Sequence, residues 1–217
     1  MQRLFDLFHS AGRELYLVGG AVRDLEMGQP IEAVRDLDFA TDSRPEETTK
    51  LLKSGGFGVY KAGWQFGTVG TVLNGDEAAG FPKDVQITTY RSAEAYRPGS
   101  RHPAVTYGDS IEADLGRRDL TINSLARDAK GEILDLYGGR EDLRNRRLKL
   151  LGEPERTLRE DPLRMLRVAR FASQLGFRPT GRVRQACTKV AASIIDVSRE
   201  RWFQEMDKLL LGGHVQD

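Results

Sequence analysis

An apolar strand that ends in two glycines, followed by a second strand that carries two aspartates, most constrains the fold. The segment LVGGAVRD (17–24) contains Gly19 and Gly20, and the segment RDLDFATD (35–42) contains Asp36 and Asp38. Glycine has no Cβ, so the chain can turn sharply into a helix and present its N–H groups to a phosphate. The pattern therefore predicts a polar site where a strand passes into a helix.

The two aspartates lie two residues apart in a strand pattern, so both side chains face the same way. An isolated D-x-D is most often a pair of solvated acids. Here Leu37 and Phe39 alternate inward and a glycine turn precedes, which favours a Mg²⁺ site completed by water and phosphate oxygens. Arg23, in the first turn of the predicted helix, can clamp the same phosphate. Together these features indicate nucleotidyl transfer.

Up to about residue 139 the sequence predicts one sheet with helices, from the runs ELYLVGG, LDFAT, GTVGTVL, VQITTY and EILDLY. The segment DSRPEETTKLLKSGG predicts a helix capped by Asp42 or Ser43 and stopped at Gly55 and Gly56. The segment SAEAYRPGSRHP (92–103) shows neither the helical nor the strand periodicity of apolar residues, which predicts a mobile loop.

After Arg140 the strand signal disappears and three helices are predicted, within EDPLRMLRVARFASQLGF, TGRVRQACTKVAASI and SRERWFQEMDKLL, the last capped by Ser198. The expected organisation is an α/β domain at 1–139 and an all-helical domain at 140–217.

The charge is unevenly distributed, although the whole chain carries only +1. Residues 140–184 carry a net +7 and residues 1–139 a net −5, which fits a carboxylate site beside a surface that attracts a polyanion. A charged helical face that is merely solvated would give the same charge distribution. Cys187 is the only cysteine, and the sequence shows neither a signal-like nor a membrane-spanning run. We expect a cytoplasmic protein without a membrane partner.

Two further segments offer polar side chains at helical spacing. In RRDLTINSLA (117–126), a helix starting near Asp119 would place Asn123 on the same face, for a ribose hydroxyl, with Arg118 near phosphate. A capped helix start with solvated arginines is the plainer interpretation.

In REDPLRMLRVARF, Asp161, Arg164 and Arg167 would share a helix face. They form either an ordinary salt-bridge ladder or a base-reading group. An Asp/Arg pair accepts the edges of C and A and should reject U and G.

In this order the segments resemble the class II tRNA nucleotidyltransferase and poly(A) polymerase family over residues 15 to about 211. The motifs that carry the resemblance are LVGGAVRD, DLDFATD, RRDLTINSLA, LDLYGGREDL, EDPLRMLRVARF and SRERWFQEMDKLL. The resemblance implies a polymerase-β-like head of mixed sheet and helices followed by a helical neck. It also implies template-independent transfer of CMP and/or AMP from CTP or ATP to the 3′ end of tRNA.

The family resemblance also implies residue roles. Asp36 and Asp38 would hold two Mg²⁺ ions. The remaining expected roles are triphosphate binding by Gly19, Gly20 and Arg23, sugar and phosphate contacts by Arg118, Asp119 and Asn123, base selection by Asp161, Arg164 and Arg167, and flexible-loop contacts by Arg97 or Arg101.

The sequence departs from the family pattern in three places. Gln86 stands where the family has a glutamate, so a third carboxylate is absent or supplied by Asp84. Ser124 replaces a small apolar residue. The family's body and tail, which grip tRNA, are missing from the 217 residues, so we expect weak, salt-sensitive tRNA binding or a partner chain that supplies them.

Several products remain open at this level. Complete CCA addition, CC-only addition, A-only addition and poly(A) synthesis all fit the family, and the loop-like segment favours CCA or A addition. Outside it, a nucleotide-binding or RNA-binding fragment without turnover and a small-molecule nucleotidyltransferase share part of the pattern.

Overall fold

A computed structural model describes residues 1–34, 36–74, 83–96 and 103–216. The strands are β1 (Leu15–Val18), β2 (Asp36–Thr41), β3 (Thr68–Leu73), β4 (Lys83–Thr89), β5 (Arg91–Tyr96), β6 (Pro103–Tyr107), β7 (Leu125–Arg127), β8 (Ile133–Asp135), β9 (Arg147–Leu148) and β10 (Arg178–Pro179). The α-helices are α1 (Gln2–Ser10), α2 (Gly20–Glu26), α3 (Pro45–Ser54), α4 (Ile111–Gly116), α5 (Gly139–Arg144), α6 (Pro154–Glu160), α7 (Leu163–Leu175), α8 (Gly181–Val190) and α9 (Arg199–Leu210). Short 3₁₀ helices cover Ile31–Ala33, Trp64–Phe66, Thr121–Asn123 and Ala191–Asp196.

The chain forms two compact units, and each unit is made of three separate segments of the sequence. The first unit takes residues 1–93, 105–117 and 123–136, and the second takes 94–104, 118–122 and the chain from Tyr137 onward. The head and neck boundary at residue 139 stays a prediction.

The first unit is built on a six-stranded mixed sheet in the order β3-β4-β2-β1-β7-β8. The pair β2 and β4 is parallel, and the other neighbours are antiparallel. All five β-rich runs predicted from sequence form strands of this one sheet, which confirms that part of the prediction. The strands β1, β2 and β4 bury apolar side chains on one face, namely Leu17, Leu37, Phe39, Val85 and Ile87. Helix α1 covers this core, with the ring of Phe5 edge-on to Phe39 at 5.5 Å between centroids.

The predicted helix after β2 is present, but its predicted cap is wrong. Arg44 is the N-cap residue, with extended backbone, and Pro45 is the first helical residue. Proline disfavours the helical conformation in the residue before it, so Arg44 stays extended and the helix begins at Pro45 rather than directly after Asp42 or Ser43. The stop is as predicted, with Gly55 at the C-cap.

The predicted helix in RRDLTINSLA is wrong. Thr121–Asn123 is a single 3₁₀ turn, and Leu125–Arg127 is strand β7, between β1 and β8. Helical spacing is a local signal, and here hydrogen bonding to two neighbouring strands overrides it.

The predicted mobile loop at 92–103 is wrong in its first part. Strand β5 extends to Tyr96 and pairs with β6 in a separate two-stranded sheet. Arg97 and Arg101, to which the sequence assigned loop contacts, lie outside the described residues.

The second unit contains the three predicted helices as α7, α8 and α9, together with α5 and α6. It also contains a two-residue parallel strand pair, β9 with β10, which the sequence did not predict. Ser198 is the N-cap residue of α9, as predicted, although its buried hydroxyl makes no capping hydrogen bond to the described residues. Among the described residues, no helix combines the length and apolar character needed to cross a membrane.

A buried lysine fixes the turn that leads into β2. Lys83 is 1% exposed, and its ammonium donates to the carbonyls of Ile31 at 2.8 Å and Val34 at 2.6 Å. The Ile31 carbonyl also accepts from the Val34 N–H, so the lysine adds a second donor there and supplies a donor to the Val34 carbonyl. The lysine therefore ties the start of β4 to the chain just before Asp36.

We predict that Lys83→Ala lowers the free energy of unfolding by about 3 kcal/mol, because it removes the two hydrogen bonds that the buried lysine donates to the carbonyls of Ile31 and Val34. The measurement is urea unfolding followed by circular dichroism. Lys50→Ala, at an exposed position on α3, is the matched control and should change the stability little. Equal stability of the two variants would contradict the structural role.

Candidate active site

Two carboxylates lie on the open face of the central strand β2. Asp36 and Asp38 are exposed, whereas Leu37 and Phe39 between and after them are each 1% exposed. The alternation predicted from sequence is therefore present. Two carboxylates on one open face can bind a divalent cation, with water and phosphate oxygens as the other ligands.

The parallel register of β2 with β4 fixes the neighbours of these carboxylates. Asp84 lies opposite Asp36, and Gln86 lies opposite Asp38. Asp84 is thus the additional carboxylate nearest in register, while an uncharged amide stands beside Asp38. Within the described ranges, no group of three or more acidic, histidine or cysteine side chains is placed to hold a metal.

A tyrosine that the sequence analysis did not single out reaches this face. The phenol of Tyr60 donates a hydrogen bond to the carboxylate of Asp84. Burial, together with this hydrogen bond and the nearby acids, raises the pKa of Tyr60 to about 12. The phenol therefore keeps its proton at neutral pH and remains a donor.

The glycine turn lies beside the start of β2. Leu17 pairs with Phe39 in antiparallel register, so β1 runs toward the end of β2 that carries Asp38 and Asp36 and stops at Val18. Gly19 has φ 71° and ψ −134°, a conformation that is strained for any residue with a Cβ. Gly20 then begins α2.

Arg23 and Asn123 meet although they are 100 residues apart in sequence. The guanidinium of Arg23 donates to the Asn123 side-chain oxygen at 2.9 Å, and it also bonds to Asp24 at 2.8 Å. Arg23 is only 11% exposed, so its position is largely fixed. Two of the predicted nucleotide-binding residues are therefore adjacent, a contact that spacing alone could not reveal.

Asp119 is not a helix cap facing Asn123, as the sequence predicted. In the second unit its carboxylate accepts from the Leu120 N–H at 2.8 Å and from Arg167 Nε at 2.6 Å. Arg167 also pairs with Glu205 of α9 at 3.4 Å. The Asp119 carboxylate raises the pKa of the Arg167 guanidinium. Arg118, the predicted phosphate contact, is partly buried beside Asp119.

Asp161 lies just before α7 rather than on its face, which corrects the predicted helical spacing with Arg164. Asp161 and Pro162 separate α6 from α7, and Asp161 has extended backbone. Its carboxylate accepts from Arg201 at 2.7 Å and from the Leu163 N–H at 3.3 Å. The sequence analysis missed Arg201, although the SRERWFQEM segment contains it.

Arg164 also has a defined partner in the second unit. Its guanidinium reaches the carbonyl of Thr157 in α6 at 3.4 Å. The Asp161 carboxylate and the Arg164 guanidinium thus lie at the junction of α6 and α7. Arg201 positions the first, and the Thr157 carbonyl positions the second.

A mixed sheet whose central strand exposes two carboxylates, beside a glycine turn and a fixed arginine, defines a nucleotidyltransferase fold of the polymerase-β type. Residues 15–149 match the family model described as the poly A polymerase head domain. The chain belongs to this family. Residues 176–217 match a second model, described as the probable RNA and SrmB-binding site of polymerase A.

Curated relatives carry the name CCA-adding enzyme. The one from Geobacillus stearothermophilus is 40% identical over 201 residues, which are 93% of this chain and 46% of the relative. The one from Bacillus velezensis is 41% identical over 207 residues, which are 95% of this chain and 49% of the relative. The chain spans about half the length of these relatives.

Solved structures share the fold over nearly all of the chain. A Bacillus stearothermophilus CCA-adding enzyme in complex with CTP matches with a TM-score of 0.81 and 38% identity, over 97% of this chain and 48% of that one. A tRNA nucleotidyltransferase complexed with a primer tRNA and an incoming ATP analog matches with a TM-score of 0.73 and 27% identity, over 94% of this chain and 55% of that one.

We predict that Gly19→Ala destabilises the protein by about 1–3 kcal/mol, because alanine is strained at this positive φ. It should also weaken CTP and ATP binding by displacing the turn. Thermal melting with and without nucleotide measures both effects. Gly58→Ala is the control, since an added Cβ at that exposed position meets nothing within 4 Å. A normal melting temperature and normal nucleotide binding for Gly19→Ala would contradict the prediction.

Proposed function

We propose that the protein transfers CMP and/or AMP from CTP or ATP to the 3′ end of tRNA, without a nucleic-acid template and with release of pyrophosphate. The observation that carries the proposal is the pair of exposed carboxylates, Asp36 and Asp38, beside the Gly19 turn in this fold. The names of the relatives and the CTP and tRNA complexes of similar structures support it. CCA or A addition is the product we favour, and the cytoplasm is the proposed location.

The carboxylate face fits a pair of Mg²⁺ ions. Asp36 and Asp38 would hold them, with phosphate and water oxygens as the further ligands. Bound there, the ions would supply a more acidic RNA 3′-hydroxyl and charge neutralisation at the pyrophosphate. Because residue 86 is a glutamine, the protein would supply two carboxylate ligands to the metals, or three if Asp84 contributes.

The triphosphate is assigned to the glycine turn and Arg23. Gly19 and Gly20 let the backbone approach the phosphates without a Cβ in the way, and Arg23 supplies a charged donor. Its hydrogen bond to Asn123 supports a role for Asn123 in holding the sugar next to the phosphates.

Arg118 and Asp119 are proposed to take part in binding the sugar and phosphate of the nucleotide. Asp119 is 7% exposed and paired with Arg167, so it orients that guanidinium. Arg118 is proposed to contact phosphate, as the family resemblance implies.

Base selection is assigned to Asp161 and Arg164, with Arg167 in support. A carboxylate can accept from the exocyclic amine of C or A, and a guanidinium can donate to a ring nitrogen or carbonyl. The 2.7 Å ion pair with Arg201 holds the Asp161 carboxylate in place. Arg97 and Arg101 stay a prediction as loop contacts.

One observation favours a second candidate, a nucleotide-binding or RNA-binding chain without turnover. Gln86, not a carboxylate, stands beside Asp38, which would weaken metal binding.

The test is incorporation of each labelled NTP, with Mg²⁺, into tRNA transcripts that end before CCA, after the first C and after CC. We expect growth by C, C and A, lost in Asp36→Asn/Asp38→Asn because the variant cannot hold the ions. Unchanged folding of this variant, checked by thermal melting, is the control.

Growth at only one stage would define a CC-only or A-only enzyme, and repeated A addition would define a poly(A) polymerase. Absence of growth with CTP and ATP still bound would reject turnover by this chain and support the second candidate.

We predict that Asp161→Asn reduces discrimination of CTP over UTP by at least about tenfold, because an amide can also donate to the carbonyl of U. The measurement is the ratio of kcat/KM values for the two nucleotides. Asp207→Asn, at an exposed position of α9, is the control. An unchanged ratio would remove Asp161 from base selection.

A further inference from the structure

Tyr60 is an aromatic side chain held rigidly at the carboxylate face of the first unit. Its backbone forms an isolated bridge with Gly70 of strand β3, with hydrogen bonds of 2.9 and 3.0 Å. The side chain then folds back over the sheet to Asp84 of β4. The residue is nevertheless 39% exposed. An anchored aromatic with this much exposed surface is available to a ligand.

Gly70 provides the surface on which this ring lies. A Cβ added at Gly70 would be 2.3 Å from both Cε2 and Cζ of Tyr60 and 2.7 Å from Cε1. Near-equal distances to the two ε carbons mean that the glycine faces the plane of the ring rather than its edge. The bridge, the glycine and the bond to Asp84 therefore fix one face of the ring against the sheet.

The order of the strands places Tyr60 on a particular side of the carboxylates. The glycine turn and Arg23 follow β1, on one side of β2, while Asp84 and Gly70 belong to β4 and β3, on the other side. In nucleotidyl transfer the attacking and leaving oxygens are roughly in line. With the triphosphate at the β1 side, the attacking hydroxyl must come from the β4 and β3 side.

We propose that Tyr60 binds the acceptor RNA by stacking against the nucleobase of its 3′-terminal nucleotide. This inference rests on the proposed function for the location of the triphosphate. A nucleobase could also come from the incoming NTP, but that base is assigned to Asp161 and Arg164. Aromatic stacking accepts any base, which suits an acceptor whose last nucleotide changes during successive additions.

The first experiment measures stacking directly, without turnover. A short RNA with 2-aminopurine as its 3′-terminal nucleotide is titrated with the full 217-residue chain in the absence of NTP. We expect the fluorescence to be quenched by the native protein and by Tyr60→Phe, which keeps the ring, and not by Tyr60→Leu. Gly70→Ala should also reduce the quenching, because the added methyl displaces the ring.

The second experiment separates the acceptor from the nucleotide. Loss of the stacking of one base on an aromatic side chain weakens RNA binding by roughly fivefold to a hundredfold. Tyr60→Leu should therefore raise the KM for RNA by this factor. The KM for CTP should stay unchanged, and Tyr60→Phe should restore the KM for RNA to within about threefold of the native value. A structural role alone would not give this split.

The outcomes decide the inference independently of the proposed function. Native-like quenching by Tyr60→Leu would overturn it, as would an increase in the KM for CTP rather than for RNA. Quenching that requires the ring, in a protein that adds no nucleotide, would support stacking while rejecting transfer. If Tyr60→Leu does not fold, Gly70→Ala decides the matter, and undiminished quenching by that variant overturns the inference.

Discussion

The parallel pairing of β2 with β4 is the constraint on which the rest of the first unit depends. It places β2 inside the sheet, with β1 on its other side, and it buries Leu37 and Phe39 on one face. Because side chains alternate along a strand, this burial forces Asp36 and Asp38 onto the opposite, open face. A shift of one residue in register would bury both carboxylates, so the apolar core holds the acids in position.

Two polar contacts reinforce this arrangement at the start of the strand. Lys83 bonds to two carbonyls in the turn before β2, and Arg23 bonds to Asn123 beside the glycine turn. A buried amino group is costly without acceptors and stabilising with them. The geometry proposed for the nucleotide thus depends on contacts between segments far apart in sequence.

The second unit uses charged groups in a similar way, with α7 and α9 joined by ion pairs. Glu205 of α9 lies 3.4 Å from Arg167 and 3.0 Å from Arg170, and Arg201 holds Asp161. Removing one partner of such a partly buried ion pair lowers the stability of the protein, because the other charge remains buried without its partner. Their contribution is to orient the groups proposed to read the base.

The sequence alone determined five of the six strands in the sheet of the first unit, helices α7, α8 and α9 of the second, the shared face of Asp36 and Asp38 and the family, because alternation, helical periodicity and ordered motifs are local signals. Only the tertiary structure decided that Leu125–Arg127 is a strand, that Asp119 pairs with Arg167, and that Asp161 pairs with Arg201. It also brought Tyr60 onto the carboxylate face. The two ion pairs join residues 40 or more positions apart, and Tyr60 reaches Asp84 across 24 residues. Strand β7 results from a competition between helix and sheet. Neither kind of outcome is encoded in residue spacing.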